Sequence, residues 1–135
     1  MVLFICSGNT CRSPMAEAIY EHKTGKDAES AGLGAVGGAP MSQHAKEALE
    51  NMGIIGFSHE AQPVTDGLLE RAEAIYCMGK THKLVLCSAR PQYADKIFLL
   101  DTDGEDVADP YGGYLETYEK CAAQIEKLID KRFLN

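Results

Sequence analysis

Three short apolar runs, Val2 to Ile5, Ala74 to Met78 and Lys96 to Leu100, are bounded by turn-forming residues and are too brief for helices. Each predicts a buried strand. Between them the apolar spacing becomes helical. Met15, Ile19 and His22 share one face of a segment opening at Ser13-Pro14, where serine suits an N-cap and proline the first helical position. A second helix is predicted over 42–52, ending before Gly53, a short third over 65–72 and a fourth over 81–89. Leu115, Tyr118, Ala122, Ile125 and Ile129 recur at intervals of three and four, which places them on one stripe of a long C-terminal helix. Strands alternating with helices predict an α/β fold: a mostly parallel sheet covered on both faces, with ligands bound beyond the carboxyl ends of the strands. The residues after Ile5 are therefore the first place to look for chemistry.

Composition narrows the picture without redrawing it. A chain of 135 residues with a net charge of −7 fits one acidic globular domain over 1–135. Its sign argues against duplex DNA or an anionic membrane as partner. No apolar run approaches the roughly 18 residues of a membrane span, and the N-terminal stretch is too short and uncharged for a signal peptide. The five cysteines include no CxxC pair, which fits reduced thiols and a cytoplasmic location better than a disulfide framework or a zinc cage.

After the first strand comes Cys6-Ser7-Gly8-Asn9-Thr10-Cys11-Arg12-Ser13. Backbone N–H groups of a short loop curling into a helix point inward and, with the helix dipole, form a concave anion site of phosphate size. Arg12 adds a bidentate fork for phosphate oxygens. The same donors favour the thiolate of Cys6, and a thiolate beneath a bound phosphate is an in-line nucleophile. Ser13 is placed to donate a hydrogen bond to that sulfur. Gly8 and Asn9 are the residue types that best tolerate a positive φ in such a loop.

The run from Cys6 to Glu17 resembles the signature of the low-molecular-weight protein tyrosine phosphatases. Ser30-Ala31-Gly32, Gly53-Ile54, His59, the strand from Ala74 to Met78 and Asp109-Pro110-Tyr111-Gly112-Gly113 follow in that family's order. The resemblance implies a doubly wound four-stranded parallel sheet and a two-step reaction through a phosphocysteine, with phosphorylated proteins as substrates. It also implies that Asn9, Ser13, Ser30 and His59 form a network holding the phosphate loop.

Cleaving a phosphate ester or phosphoramidate requires a proton for the leaving atom. Among the carboxylates of segment 101–110, Asp109 is the choice, because Pro110 stiffens it, Tyr111 and the glycines make a rim, and neighbouring carboxylates favour its protonated form. The family match puts the general acid at the same Asp-Pro and gives Tyr111 a substrate-facing role. Thr10 resembles the arginine phosphatases of the family, whereas many tyrosine-specific members carry an aliphatic residue there, so the reading leans modestly to phosphoarginine. Cys11, five residues from Cys6, is a candidate for a reversible disulfide with it. Arsenate reduction on the same fold is the alternative, with Cys77 and Cys87 as carriers. Gly32 to Gly37 spells GxGxxG but opens no helix, so it reads as a flexible loop beside the site. His22, His44 and His82 read as solvent-exposed, and no cofactor or metal is implied.

Overall fold

A computed structural model describes residues 1–134. Four parallel strands, β1 (Val2–Cys6), β2 (Ala28–Gly32), β3 (Ala74–Cys77) and β4 (Ile97–Leu99), lie in the order β2-β1-β3-β4. The helices are α1 (Arg12–Thr24), α2 (Gln43–Asn51), α3 (Asp66–Arg71), α4 (Lys80–Ala89) and α5 (Leu115–Phe133), with a 3-10 segment Pro91–Lys96 before β4. The chain leaves β1 toward β2 on one side and later returns to β3 on the other. The direction of winding therefore reverses between β1 and β3, and a crevice opens there at the carboxyl ends of the strands.

Alternation along β1 builds two cores from five consecutive buried residues. Val2, Phe4 and Cys6 pack with α1, α2 and α5, while Leu3 and Ile5 pack with Leu68, Leu69 and Leu86 of α3 and α4. Phe4, Tyr20, Tyr76 and Phe133 form an aromatic group on the first face, with Tyr20 and Phe133 edge-on at 4.9 Å. Arg132 of α5 lies over the Tyr76 ring and donates to the carbonyls of Leu99 and Leu100, satisfying acceptors where β4 ends. The C-terminal helix thus ties the sheet's last strand to the core.

Local chemistry explains the boundaries. Gly25, at φ 70, ends α1 by returning its N–H to Glu21 O at 2.9 Å. Thr65 caps α3 by accepting from Leu68 N at 3.2 Å. Ser13, in contrast, is not an N-cap: α1 begins at Arg12, two residues before the expected Pro14, and the Ser13 hydroxyl lies against Cys6. Periodicity also gives no sign of β2. Its sequence, Ala-Glu-Ser-Ala-Gly, lacks large apolar residues because this edge strand lies under α1 and must let the loop after β1 approach. A Cβ on Gly32 would lie 2.5 Å from the Ser7 carbonyl oxygen. Among the described residues no helix is long and apolar enough to cross a membrane.

Candidate active site

The loop from Cys6 to Ser13 fills the crevice at the end of β1. Asn9 is its pivot, buried at φ 57, the one non-glycine left-handed residue among those described. Gly8 does not share that conformation: the chain reverses once, at Asn9, so Gly8 is not needed for a positive φ. The Asn9 amide is fully used. Its Nδ2 donates to Ser13 Oγ at 2.8 Å and Ser30 Oγ at 3.0 Å, and its Oδ1 accepts from Gln62 N at 2.9 Å and His59 Nε2 at 2.8 Å. Because Ser13 Oγ already accepts from Asn9, its own proton is free for Cys6 Sγ, 2.8 Å away. The Asn9 backbone N–H adds a second donor to the sulfur at 3.2 Å. Two donors on one buried sulfur match the lone pairs of a thiolate.

Above that sulfur lies a cavity of about 240 Å³ lined by Cys6 through Arg12, Asp109 and Tyr111. Arg12 is buried and held by the Val107 carbonyl at 3.0 Å, while its Nη2 faces Asp109 Oδ2 at 3.6 Å. Asp109 itself is exposed, fixed by accepting from Tyr111 N at 3.1 Å. Its charged neighbour is therefore a guanidinium and not a carboxylate, contrary to the sequence expectation. The other acids are occupied elsewhere: Asp101 accepts from Asp103 N, Asp103 pairs with Lys131, Glu105 with Lys80, and Asp106 caps α4 through Lys80 N. Tyr111 stands at the rim, 80% exposed. Thr10 is half-buried in the cavity wall with its hydroxyl 3.7 Å from Cys11 Sγ. Cys11 is buried and directs its thiol to Tyr118 OH at 3.6 Å.

Sequence reasoning missed three participants. Glu17 accepts from Ser30 Oγ at 2.7 Å, and Gln62 donates its side chain to Ser30 O at 2.9 Å besides its backbone bond to Asn9. His82, expected in solvent, is buried with Nε2 2.9 Å from Ser7 Oγ. Its placement had a signal: the first turn of a helix following β3 must lie at the same crevice as the loop after β1. The stretch after Gly32 does border the loop, but through defined hydrogen bonds, Leu33 N to Cys6 O at 3.0 Å and Gly34 N to Ser7 O at 2.9 Å.

Over residues 1–134 the chain matches the model of the family described as low molecular weight phosphotyrosine protein phosphatase. The chain belongs to that family. A protein-arginine-phosphatase from Geobacillus stearothermophilus is 39% identical, the match covering 96% of this chain and 91% of the relative. The structure of a low molecular weight protein tyrosine phosphatase from T. tengcongensis superposes with a TM-score of 0.91 at 45% identity, covering 96% of this chain and 95% of the other. A YwlE arginine phosphatase variant with a phosphorylated active-site serine matches with a TM-score of 0.86 at 33% identity, covering 98% and 96%.

The phosphatase carries an acid deep in its supporting network. Burial pushes the Glu17 carboxyl from its ordinary 4.5 up to about 7, opposed by the Ser30 hydrogen bond and reinforced by Glu21 and Glu29. Burial likewise lowers His59, against the Asn9 bond and Glu60. The His59 Nδ1 to Glu17 Oε1 contact, 3.8 Å, is too long to reverse either effect. An acid raised on folding stabilises fully below its unfolded value and loses that contribution as pH rises through its folded one. Denaturant titrations from pH 4.5 to 8 should therefore show a stability decline that Glu17→Gln lacks. Parallel curves for the two proteins would mean that Glu17 ionises without cost.

Proposed function

We propose that this phosphatase removes phosphate from arginine side chains of proteins, using Cys6 as nucleophile, Arg12 as phosphate clamp and Asp109 as acid and then base. The Cys6 sulfur attacks phosphorus in line while the bond to the guanidino nitrogen breaks, and Asp109 protonates that nitrogen as it leaves. Water then attacks the phosphocysteine, Asp109 takes its proton, and inorganic phosphate departs with the thiolate restored. Backbone N–H groups of the loop, other than that of Asn9, which serves the sulfur, bind the non-reacting oxygens, with Ser7, Gly8, Asn9, Thr10, Cys11 and Ser13 forming the cradle. Asn9, Ser30 and His59 keep that cradle in shape.

The observation that carries the substrate choice is Thr10 in the cavity wall. A hydroxyl there offers a hydrogen-bond partner to the polar guanidinium or to the hydrolytic water, where an aliphatic side chain would crowd both. The naming of the Geobacillus relative as a protein-arginine-phosphatase supports the same reading. Tyr111 favours a second reading, phosphotyrosine, because an exposed ring at the rim is able to stack on an aryl group. Matched phosphoarginine and phosphotyrosine peptides separate the two, after subtracting spontaneous phosphoarginine hydrolysis. Thr10→Ile is expected to shift the ratio of kcat/KM toward phosphotyrosine by about 10-fold, the scale of one lost hydrogen bond. A wild-type preference for phosphotyrosine would overturn the arginine assignment.

Arsenate reduction is not favoured. Cys77 is buried within β3, where burial pushes its thiol up to about 12, and Cys87 lies half-buried on α4. A thiol so hard to ionise is a poor relay for a disulfide.

A further inference from the structure

The phosphate loop is held from both sides of β1. On the β2 side the grip is His59 on Asn9, part of the network described above. On the β3 side a second histidine, His82 in the first turn of α4, reaches Ser7, the first loop residue after Cys6. The two groups differ sharply in exposure: Ser7 is open to the cavity, whereas His82 is 7% exposed. A buried imidazole holding an exposed hydroxyl at the mouth of an anion site has a consequence for where that hydroxyl's proton points.

We propose that His82 is a positioning residue for phosphate: its Nε2–H donates to Ser7 Oγ and so leaves the Ser7 proton to point at a phosphate oxygen. The opposite arrangement, with Ser7 donating to Nε2, would turn only oxygen lone pairs toward an anion. The other ring nitrogen has room for the acceptor role. Nδ1 is buried without a hydrogen-bond partner among the described residues, although the His82 side chain lines a cavity of about 280 Å³ with Arg12, Gly79, Thr81, Asp106 and Asp109. Gly79 keeps that space open, since a Cβ there would stand 3.4 Å from both His82 Nδ1 and Asp106 Oδ1. A proton on the enclosed Nδ1 would leave a buried N–H with no acceptor, a costlier orphan than an unused lone pair, so the proton belongs on Nε2, where Ser7 Oγ accepts it. Burial and the adjacent Arg12 both lower the proton affinity of His82, against Asp106 and Asp109, which keeps one nitrogen unprotonated. Backbone contacts fix the rest of Ser7: its carbonyl accepts from Gly34 N and is pressed against Gly32, so the hydroxyl is the one part of the residue left to be aimed.

The inference rests on the reading of the loop as the phosphate site, and the test separates the two. Inorganic phosphate serves as a competitive inhibitor of peptide turnover. Ser7→Ala and His82→Leu are each expected to weaken its inhibition by about 10-fold, the scale of one hydrogen bond to an anion. The double variant should be no worse than either single, because both remove the same contact. His82→Gln, whose amide reaches the Nε2 position, should recover most of the loss. Nitrogen-15 spectra of the wild-type histidines should show the His82 proton on Nε2. Additive losses, an unaffected phosphate constant in Ser7→Ala, or a proton on Nδ1 would each overturn the proposal, and the last two measurements stand even if His82→Leu folds poorly. Failure of the underlying site reading looks different: phosphate would then protect neither Cys6 from alkylation nor the enzyme from substrate.

Discussion

Cys6→Ser is expected to lower peptide turnover by at least about 10⁴-fold, the order found when a nucleophile acting within a coupled unit is removed, while phosphate still binds. The two halves of that result have separate origins. In the proposed mechanism affinity for the oxyanion comes from the loop N–H groups and Arg12, which is held by Val107 O. Reactivity comes from a sulfur that receives hydrogen bonds from Ser13 Oγ and Asn9 N. A serine hydroxyl ionises far less readily than a thiol, so an oxygen there keeps its proton and is a much weaker nucleophile. Single-turnover assays with phosphate-binding titrations check both halves. Substantial turnover in the variant would remove Cys6 from the mechanism, and loss of phosphate binding would show that the sulfur shapes the cradle itself.

The second large effect belongs to Asp109. Asp109→Ala is expected to slow kcat by about 10² to 10⁴-fold on substrates with poor leaving groups, and far less on an activated ester whose leaving group departs unprotonated. The carboxylate is exposed and, among the described residues, is held only through Tyr111 N and the 3.6 Å contact with Arg12 Nη2. Its removal therefore leaves the folded core intact, and the melting temperature should hardly move. A leaving-group plot measures the outcome directly. Equal slopes for both proteins would assign the proton to another group.

Much of this was legible in the chain because chemistry and local structure coincide there. Cys6 ends a run of apolar residues, Arg12 and Pro14 lie at the start of a helix, and the spacing between them is that of the anion cradle proposed above. Periodicity likewise located α2, α3 and α4 to within a residue and the start of α5, whose apolar stripe ends at Ile129, four residues short of the helix end at Phe133. What stayed hidden depended on contacts between segments distant in sequence. β2 hides behind alanine, serine and glycine, whose small size answers to α1 and to the Ser7 carbonyl and not to any pattern of their own. Glu17 closes the signature run yet gains its meaning only from Ser30, thirteen residues on. His82 lies 75 residues from Ser7, and only the crossing between β1 and β3 brings them together. Of the two expectations for Ser13 only the N-cap failed; its hydroxyl does lie 2.8 Å from the Cys6 sulfur, as the loop spacing suggested.

Asn9 has both protons and both lone-pair sites of its amide spoken for by Ser13, Ser30, Gln62 and His59. An arriving phosphate consequently finds nothing to rearrange at this residue, and the entropy lost in ordering the loop was surrendered when the chain folded, not at each encounter. Recognition of the anion then behaves like a key entering a fixed lock. The vulnerability moves elsewhere: a small change at Gln62 or Ser30, neither of which lines the cavity, would be felt as weaker substrate binding by an enzyme whose reacting atoms were untouched.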